Sequence, residues 1–562
     1  MAFDADVCIV GSGAGGGPVA YSLAQAGYSV IVLEKGPYLS EKDFFKDEIG
    51  EAIRSKFRPF SLVEPRVIRR LPEDEDGKIS SIESLDNNLW NATMVGGSTN
   101  IMSGFFFRMK PKDFALRSLL GSVKNGNVED WPINYQDLEP YYSLAEKVIG
   151  ISGRQVSHPQ SEPRSSPDFP YPPVAEHPLA HWVDHTAKDQ GWYSLPVARA
   201  ILSQTSKNRG ACSYTGMCGM YGCTTGAKGS SRVALLEPAV ATGRCEIRAE
   251  ATVKKINMRS RKIVEVEYFD KDGSVKFVKA KMFVLAAQAI ETARLLLLSA
   301  STEYPNGLAN SSGQVGKNLF FSVGGGGSGQ FSYAKYSGNR LRELRNPQPF
   351  LNRAFQDWYF YEQGEKKYKG GTLLFLLDNP SPILSAMSVA FENKNSLLWG
   401  EQLAKSLKSK FVDSKTINFE TFADGIPHPK SHVTLDASMK DRFGLPVAKV
   451  QVKTHKNSIA ATKFLKEKGR SILQAMGAEN IKLSPEISAS ANLVAGTCRF
   501  GNNPRTSVLN ADCRAHDVDN LYVTDGSFIP SGGSVPFTWT IYANAFRVAD
   551  KIIQQLGGLK KI

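Results

Sequence analysis

A glycine-rich turn between a short apolar run and a helical pattern constrains this chain more than any other feature. The apolar run, residues 7–10, is followed by Gly11, Gly13 and Gly16, and then by apolar residues at helical spacing. In such a turn, the first glycine permits a sharp bend, the second lets the backbone approach a pyrophosphate, and the third allows close packing of helix on strand. The spacing therefore predicts a βαβ unit whose helix N-terminus binds phosphate.

An acidic residue stands where such a unit would use it. Residues 29–33 form a second apolar, β-branched run, and Glu34 ends it. A carboxylate at the end of the second strand can accept hydrogen bonds from ribose hydroxyls. The pattern predicts a dinucleotide site, and it does not by itself distinguish FAD from NAD.

Composition and charge narrow the class of protein. The chain has 562 residues, of which 42% are hydrophobic and 22% charged, as in ordinary globular proteins. The net charge of +13 indicates a solvated basic surface, with a basic face for an anionic membrane or for an acidic redox partner as the alternative. Zinc-finger spacing, RNP-like aromatic motifs and long basic runs do not occur, so we expect no nucleic-acid partner.

The cysteines and the apolar segments of the chain indicate the cellular compartment of the protein. The seven cysteines are an odd number, which does not suggest a disulfide framework. The first residues lack the three regions of a signal peptide, and no stretch of eighteen clean apolar residues could span a bilayer. We therefore expect a cytoplasmic protein without a signal peptide or transmembrane segment.

Several further elements can be predicted from pattern. A buried strand at 282–287 leads into a helix at 289–299, and a strand at 521–524 precedes a final helix at about 538–556. Alternating runs at 245–248 and 263–268 suggest antiparallel strands. Four glycines at 324–327 lie inside an apparent strand and predict a bulge or a close backbone approach.

Several segments together resemble the glucose-methanol-choline (GMC) family of oxidoreductases. They lie at both ends of the chain and at internal points. They are the glycine turn with Glu34, residues 96–98, residues 285–296, and a C-terminal run that includes residues 496–501, 516–518 and 520–527. Residues 131–133 and 138–142 are closest to the bacterial sugar and alcohol dehydrogenase branch, whereas residues 320–450 match only loosely.

The resemblance implies a two-part fold. An α/β, Rossmann-type FAD-binding domain would be assembled from residues 1–40, 85–110, 230–320 and 485–562. A substrate domain of antiparallel sheet backed by helices would comprise residues 41–84, 111–229 and 321–484, with the flavin ring between the two parts.

The resemblance also implies a set of FAD-binding residues. The glycines of the first turn would hold the pyrophosphate, and the acid after the second strand would hold the adenosine ribose. A glycine pair would bring backbone close to the flavin, and a valine would hold the adenine through its main chain. An Asp-Gly pair would contact the pyrophosphate or the ribityl chain. In that order, these residues are Gly11, Gly13 and Gly16; Glu34; Gly96 and Gly97; Val253; Asp525 and Gly526. The histidine that tethers FAD covalently in some relatives is absent from residues 98–102, so FAD is expected to bind without a covalent link.

The sequence departs from the family at the catalytic positions. Alcohol-oxidising members usually place a histidine base where this chain has Leu493, and a histidine or asparagine near Val535 or Pro536. Neither replacement can titrate. Asn492 and Ser534 are the nearest polar groups, and we take them as the candidate catalytic residues of a site that is otherwise apolar.

A cysteine-rich segment admits two interpretations. Cys212, Cys218 and Cys223 lie among glycines, in a region where a related branch of dehydrogenases holds an iron–sulfur cluster. The spacing differs from that branch, so free thiols in a compact loop are the favoured interpretation, and no metal is expected.

Three functions remain open. The leading hypothesis is an FAD-dependent dehydrogenase that takes a hydride from the CH–OH group of an alcohol, sugar or sterol-like substrate to flavin N5 and passes electrons to an external acceptor. The alternatives are CH–CH dehydrogenation or isomerisation of an apolar substrate without a histidine base, and an electron-relay flavoprotein.

Overall fold

The computed structural model describes residues 2–53, 57, 64–71, 82–85, 91–364, 366–377, 380–391, 397–484 and 488–559. Its strands, in chain order, are β1 (Ala5–Val10), β2 (Val30–Leu33), β3 (Val67–Arg70), β4 (Ile82–Leu85), β5 (Phe105–Phe106), β6 (Ser194–Pro196), β7 (Ala198–Arg199), β8 (Cys245–Arg248), β9 (Thr252–Arg259), β10 (Lys262–Phe269), β11 (Val275–Val278), β12 (Ala280–Leu285), β13 (Lys317–Gly324), β14 (Gly326–Ser332), β15 (Arg353–Phe355), β16 (Phe360–Gln363), β17 (Lys366–Lys369), β18 (Gly371–Leu376), β19 (Ser414–Ala423), β20 (His432–Lys440), β21 (Pro446–Val452), β22 (Glu479–Leu483), β23 (Ser488–Thr497) and β24 (Leu521–Val523).

The α-helices follow the same numbering. They are α1 (Gly16–Gln25), α2 (Leu116–Leu120), α3 (Tyr135–Ile149), α4 (Leu179–Asp189), α5 (Glu237–Ala241), α6 (Ala289–Leu298), α7 (Gly338–Leu344), α8 (Pro382–Ala390), α9 (Gly400–Lys408), α10 (Lys456–Ala475) and α11 (Thr538–Gln555). In the described part of the chain, no helix is both long enough and apolar enough to cross a membrane.

A five-stranded parallel sheet forms the first half of the fold, in the order β24-β12-β1-β2-β8. Every residue of β1 and β2 is buried. Continuous burial is expected because elements cover both faces of a parallel sheet. Helix α1 packs against α5 and α11, and α6 packs against the three-stranded antiparallel sheet β9–β11. The predicted βαβ unit and the final helix are thus confirmed.

One predicted pairing is wrong. The run at 245–248 does form a strand, but β8 joins the parallel sheet beside β2, with Cys245 opposite Val30. The run at 263–268, in β10, pairs antiparallel with β9 and β11 instead. Strand β8 follows helix α5, so a helical crossover returns the chain parallel to the sheet. Alternation within a short run cannot reveal which strand it pairs with.

A large, mostly antiparallel sheet forms the second half. Its main path is β4-β3-β21-β20-β13-β19-β18-β15-β6, to which β14, β22 and β23 are attached, and among the described strands only β3 and β21 pair in parallel. Helix α10 packs against β14, β18, β19 and β22. The predicted combination of a Rossmann-type domain and an antiparallel sheet backed by helices is confirmed.

The glycines at 324–327 separate β13 from β14. A Cβ on Gly324 would lie 2.6 Å from the carbonyl oxygen of Thr421, and a Cβ on Gly326 2.5 Å from that of Phe419. The predicted close approach of backbones is therefore present, and it lies beside β19.

Two strands of the large sheet bear on the predicted domain boundaries, which stay a prediction. Strand β13 crosses the expected boundary at residue 320, and β23 lies in the segment 485–562 expected in the FAD domain. The two strands pair with each other in the large sheet. The large sheet therefore contains strands from segments assigned to both predicted domains.

Candidate active site

A cavity of 580 Å³ lies where the two halves meet. Strands β1, β2 and β12 point their carboxyl ends at it, through Val10, Leu33 and Ala286, and Asp525 reaches it just after β24. Ligands of open α/β sheets bind at the carboxyl ends of the strands. The wall from the large sheet includes Glu420 of β19.

The three glycines of the first turn have different surroundings. A Cβ on Gly11 would lie 2.3 Å from the carbonyl oxygen of Ala286, and a Cβ on Gly16 2.0 Å from that of Gly11. A Cβ on Gly13 would meet nothing within 4 Å. Gly11 and Gly16 are therefore required by packing, whereas Gly13 leaves open space at the N-terminus of α1, on the cavity wall.

Glu34 is held at the edge of the same turn. Its Oε2 accepts hydrogen bonds from the amide and hydroxyl of Ser12, at 3.1 and 2.5 Å, and its Oε1 accepts one from the amide of Gly36. Burial raises the pKa of this carboxyl, and the three hydrogen bonds oppose that rise.

The second glycine pair meets the first turn. The amide of Gly96 donates to the hydroxyl of Ser12, and a Cβ on Gly97 would lie 3.3 Å from the Cα of Gly13. Gly97 lines the cavity, and the positive φ of Gly96, 90°, allows the chain to turn there. The two glycine segments, far apart in sequence, therefore adjoin.

Asp525, Gly526 and Val253 also line the cavity. Asp525 accepts hydrogen bonds from the amide of Ser527 at 2.9 Å and from the hydroxyl of Thr292 at 2.5 Å, and burial raises its pKa. A Cβ on Gly526 would lie 2.6 Å from the carbonyl oxygen of Val494. Every residue predicted to bind FAD thus lies on the cavity wall except Gly16 and Gly96, which support it from behind.

Two unpaired donors show that the cavity suits a dinucleotide. In the described part of the chain, the side-chain amide nitrogens of Asn91 and Gln288 are buried, line the cavity and have no hydrogen-bond partner. Buried donors normally find partners. Together with the open face of Gly13 and the acid Glu34, they offer donors to phosphate oxygens and an acceptor to ribose hydroxyls.

The residues at and near the predicted catalytic positions differ in whether they line the cavity. Leu493 lines the cavity, as do Phe537 and Ile541, whereas Ser534 is fully buried and its hydroxyl donates to the carbonyl oxygen of Gly370 at 3.3 Å. Asn492 belongs to β23, and its side chain lies outside the described residues. Pro536 is not part of the cavity wall. The catalytic assignment of Asn492 and Ser534 stays a prediction.

None of the chain's eight histidines, all within the described residues, lines the cavity. Its described carboxylates other than Glu420 are Glu34, Glu64, Glu291, Asp441 and Asp525, and each is hydrogen-bonded or ion-paired. Glu420 was missed by the sequence analysis because a single acid in a strand carries no recognisable motif.

The cysteine segment lies beside the cavity. Lys228 donates through Nζ to the carbonyl oxygens of Asn100, Cys218 and Tyr221, and Gly219 and Met220 reach the cavity wall. Burial raises the pKa of the Cys212 thiol to about 11, whereas at Cys223 burial is outweighed by the nearby charge of Lys228 together with hydrogen bonds, which lower the pKa of that thiol. Among the described residues, no group of three or more His, Cys, Asp or Glu side chains is placed to hold a metal ion, and Cys212, Cys218 and Cys223 form no such group.

Comparison with known proteins agrees with this geometry. Two family models described as GMC oxidoreductase match residues 176–323 and 427–545, and one described as FAD binding domain matches residues 6–44. The 2-methyl-1,2-propanediol dehydrogenase of Mycolicibacterium austroafricanum is 31% identical, with 99% of this chain and 96% of the relative covered.

Two further proteins extend the comparison. The fructose dehydrogenase large subunit of Gluconobacter japonicus is 25% identical, with 98% of each chain covered. A solved structure of formate oxidase from Aspergillus oryzae superposes with a TM-score of 0.65 at 15% identity, with 99% of each chain covered. This last likeness supports the fold alone.

Proposed function

This chain belongs to the GMC oxidoreductases, and from that premise we propose that it is a dehydrogenase that binds FAD non-covalently and takes a hydride from a CH–OH donor to flavin N5. The observation that carries the proposal is the single cavity that joins two walls. One wall has the open Gly13 and Glu34, and the other comes from the large sheet. A cofactor along the first wall would meet a substrate at the second.

Non-covalent binding is supported by the chemistry of the wall. Protein groups that attach to flavin are nucleophiles, and no histidine, cysteine or tyrosine occurs among the described residues that line the cavity. Acid precipitation of the purified protein should therefore release all of its flavin into the supernatant. Colour retained in the pellet would contradict this part of the proposal.

The proposed reaction is tested by reducing the flavin under anaerobic conditions. We expect at least one member of a panel of alcohols and sugars, including 2-methyl-1,2-propanediol and D-fructose, to bleach the flavin absorbance, with formation of the matching carbonyl product. Reoxidation by an artificial dye should be much faster than by oxygen, because we propose a dehydrogenase. Faster reoxidation by oxygen would indicate an oxidase.

A second candidate function is favoured by the apolar end of the cavity. Leu493, at the position where the family usually places a histidine, lines the cavity together with Phe537 and Ile541. Such a wall suits an apolar substrate undergoing CH–CH dehydrogenation or isomerisation. Bleaching only by compounds without a hydroxyl group would favour this alternative, and reduction only by a protein partner would favour an electron relay.

A further inference from the structure

Glu420 is the one carboxylate on the cavity wall without a hydrogen-bond or ion-pair partner among the described residues. It lies in β19, and its side chain is exposed to the cavity. The cavity's other carboxylates are each engaged by a neighbouring donor, as described above. A carboxylate that keeps its lone pairs unused at a ligand cavity is available to a ligand.

The local strand register keeps this side chain unobstructed. Glu420 is opposite Gly326 of β14 on one side and Leu374 of β18 on the other. Opposite residues of an antiparallel pair lie on the same face, so the glycine leaves one flank of Glu420 empty. The neighbours Phe419 and Thr421 lie on the other face of the sheet, where the Phe419 ring approaches Gly327 and Gly469.

The charged group that acts on Glu420 is Arg199. Its guanidinium is already engaged, because Nε donates to Asn352 at 2.8 Å, Nη1 donates to the carbonyl oxygen of Ser103 at 2.6 Å, and the group lies 3.9 Å from the centroid of the Phe105 ring. Arg199 therefore favours the ionised form of Glu420 without occupying its oxygens. The strands on either side add no charge, since they present Gly326 and Leu374.

We propose that Glu420 is the general base of the reaction and replaces the histidine that this chain lacks at position 493. This inference rests on the proposed oxidation of a CH–OH donor. The carboxylate accepts the hydroxyl proton, the C=O bond forms, and the C–H bond breaks with its electron pair leaving as hydride to the flavin of FAD. The substrate is oxidised by two electrons, the flavin is reduced by two, and Glu420 becomes a carboxylic acid.

The environment of Glu420 suits this task. Desolvation by the protein that encloses the cavity raises the pKa of its carboxyl above the ordinary glutamate value, and Arg199 opposes that rise. A carboxylate with a raised pKa is a better proton acceptor near neutral pH. The rate of flavin reduction in the native enzyme should therefore rise with pH through the pKa of Glu420, because the ionised form is the active one.

The test compares Glu420→Gln with the native holoenzyme in single-turnover flavin reduction by an alcohol that reduces the native protein. Glutamine keeps the shape and removes the base, so we expect reduction to slow by about 10²–10⁴-fold, the usual contribution of a general base. The rising limb of the pH profile should disappear, and the flavin content should be unchanged. Glu420→Asp should recover part of the rate. Glu479→Gln, on the half-exposed strand β22 of the same sheet and paired with Lys335, is the matched control.

Two kinetic results would overturn the proposal. One is reduction of Glu420→Gln at a rate within about threefold of the native rate. The other is a raised KM with unchanged kcat, which would make Glu420 an anchor for a substrate cation. Failure of the proposed function looks different, because no alcohol would then reduce the native protein.

A spectroscopic measurement examines Glu420 without a reducing substrate. The infrared band of the protonated Glu420 carboxyl is identified as the band that the native protein shows and Glu420→Gln lacks. In the native protein, this band should titrate above the ordinary glutamate pKa. A band that titrates at or below that value would rule out the proposed base.

Discussion

The carboxylate of Glu34 accepts both hydrogen bonds that Ser12 can donate, one from its amide at 3.1 Å and one from its hydroxyl at 2.5 Å. This contact joins the end of β2 to the turn that follows β1. The same hydroxyl accepts a hydrogen bond from the amide of Gly96. Three segments that border the cavity are thus tied together at one buried serine.

Replacing Glu34 with glutamine should weaken both the fold and flavin retention. A glutamine side chain has one acceptor oxygen and cannot receive the donors of Ser12 and Gly36 together. Leaving buried donors unsatisfied costs about 1–3 kcal/mol in the free energy of unfolding. Chemical denaturation and the ratio of flavin to protein absorbance measure the two effects. Glu246→Gln, at an exposed site on β8 paired with Arg248, should change neither quantity. An equal loss in that control would refute the specific role of Glu34.

Alanine at Gly13 and alanine at Gly16 should have opposite consequences. At Gly13 the added methyl meets no protein atom within 4 Å, so the flavin-free protein should unfold at its native temperature and bind less FAD. At Gly16 the methyl would lie 2.0 Å from the carbonyl oxygen of Gly11, and overpacking of this kind costs about 1–3 kcal/mol. Thermal unfolding and flavin titration of the two variants distinguish these outcomes. Full flavin binding by Gly13→Ala would show that the cofactor lies elsewhere.

A buried ion cluster joins the end of β17 to the residue that follows β19. Lys369 forms ion pairs at 2.9 Å with both Asp113 and Asp424, and all three side chains are buried. Lys369→Met should lower the free energy of unfolding by about 3–5 kcal/mol, because two buried carboxylates lose their cation. Lys367→Met, on the same strand at an exposed site, should cost at most about 1 kcal/mol. Equal midpoints in urea for the two variants would disprove this account.

Stability should fall on mild acidification because of His177. Burial lowers the pKa of this side chain to about 4, with the nearby charge of Lys415 acting in the same direction. Its Nε2 bonds to the carbonyl oxygen of Asn346, and its Nδ1 accepts from the amide of Leu179, an arrangement that requires the neutral ring. Between the unfolded pKa of 6.5 and the folded pKa of about 4, the unfolded chain binds the extra proton. The contribution to stability is therefore complete above pH 6.5 and is lost as the pH falls toward 4.

Melting temperatures measured across that pH range provide the check. His177→Asn, whose side-chain oxygen can still accept from Leu179, should show a shallower pH dependence than the native protein. His181→Asn, at an exposed site one turn along the same chain segment, should leave the native dependence unchanged. An identical slope for the native protein and His177→Asn would exclude His177 as the source.

The cavity wall formed by Gly13, Glu34 and their neighbours could be predicted largely from sequence because its parts are local. Gly11, Gly13 and Gly16 define a turn between adjacent elements, and Glu34 closes the next strand. Resemblance to the family added Gly97, Val253 and Asp525, which the structure places on the same cavity. Unpaired Asn91 and Gln288 were not predicted, because an orphaned amide is visible only once its neighbours are placed.

The sequence alone determined the βαβ unit and the acid that follows it, since both depend on residues close together in the chain, and the resemblance to the family led us to expect leucine in place of a histidine at position 493. Only the tertiary structure decided that β8 joins the parallel sheet, that Ser534 turns away from the cavity and that Glu420 faces it. These facts depend on strand register and on contacts between distant segments. A shift of one residue in β19 would turn Glu420 to the opposite face of the sheet.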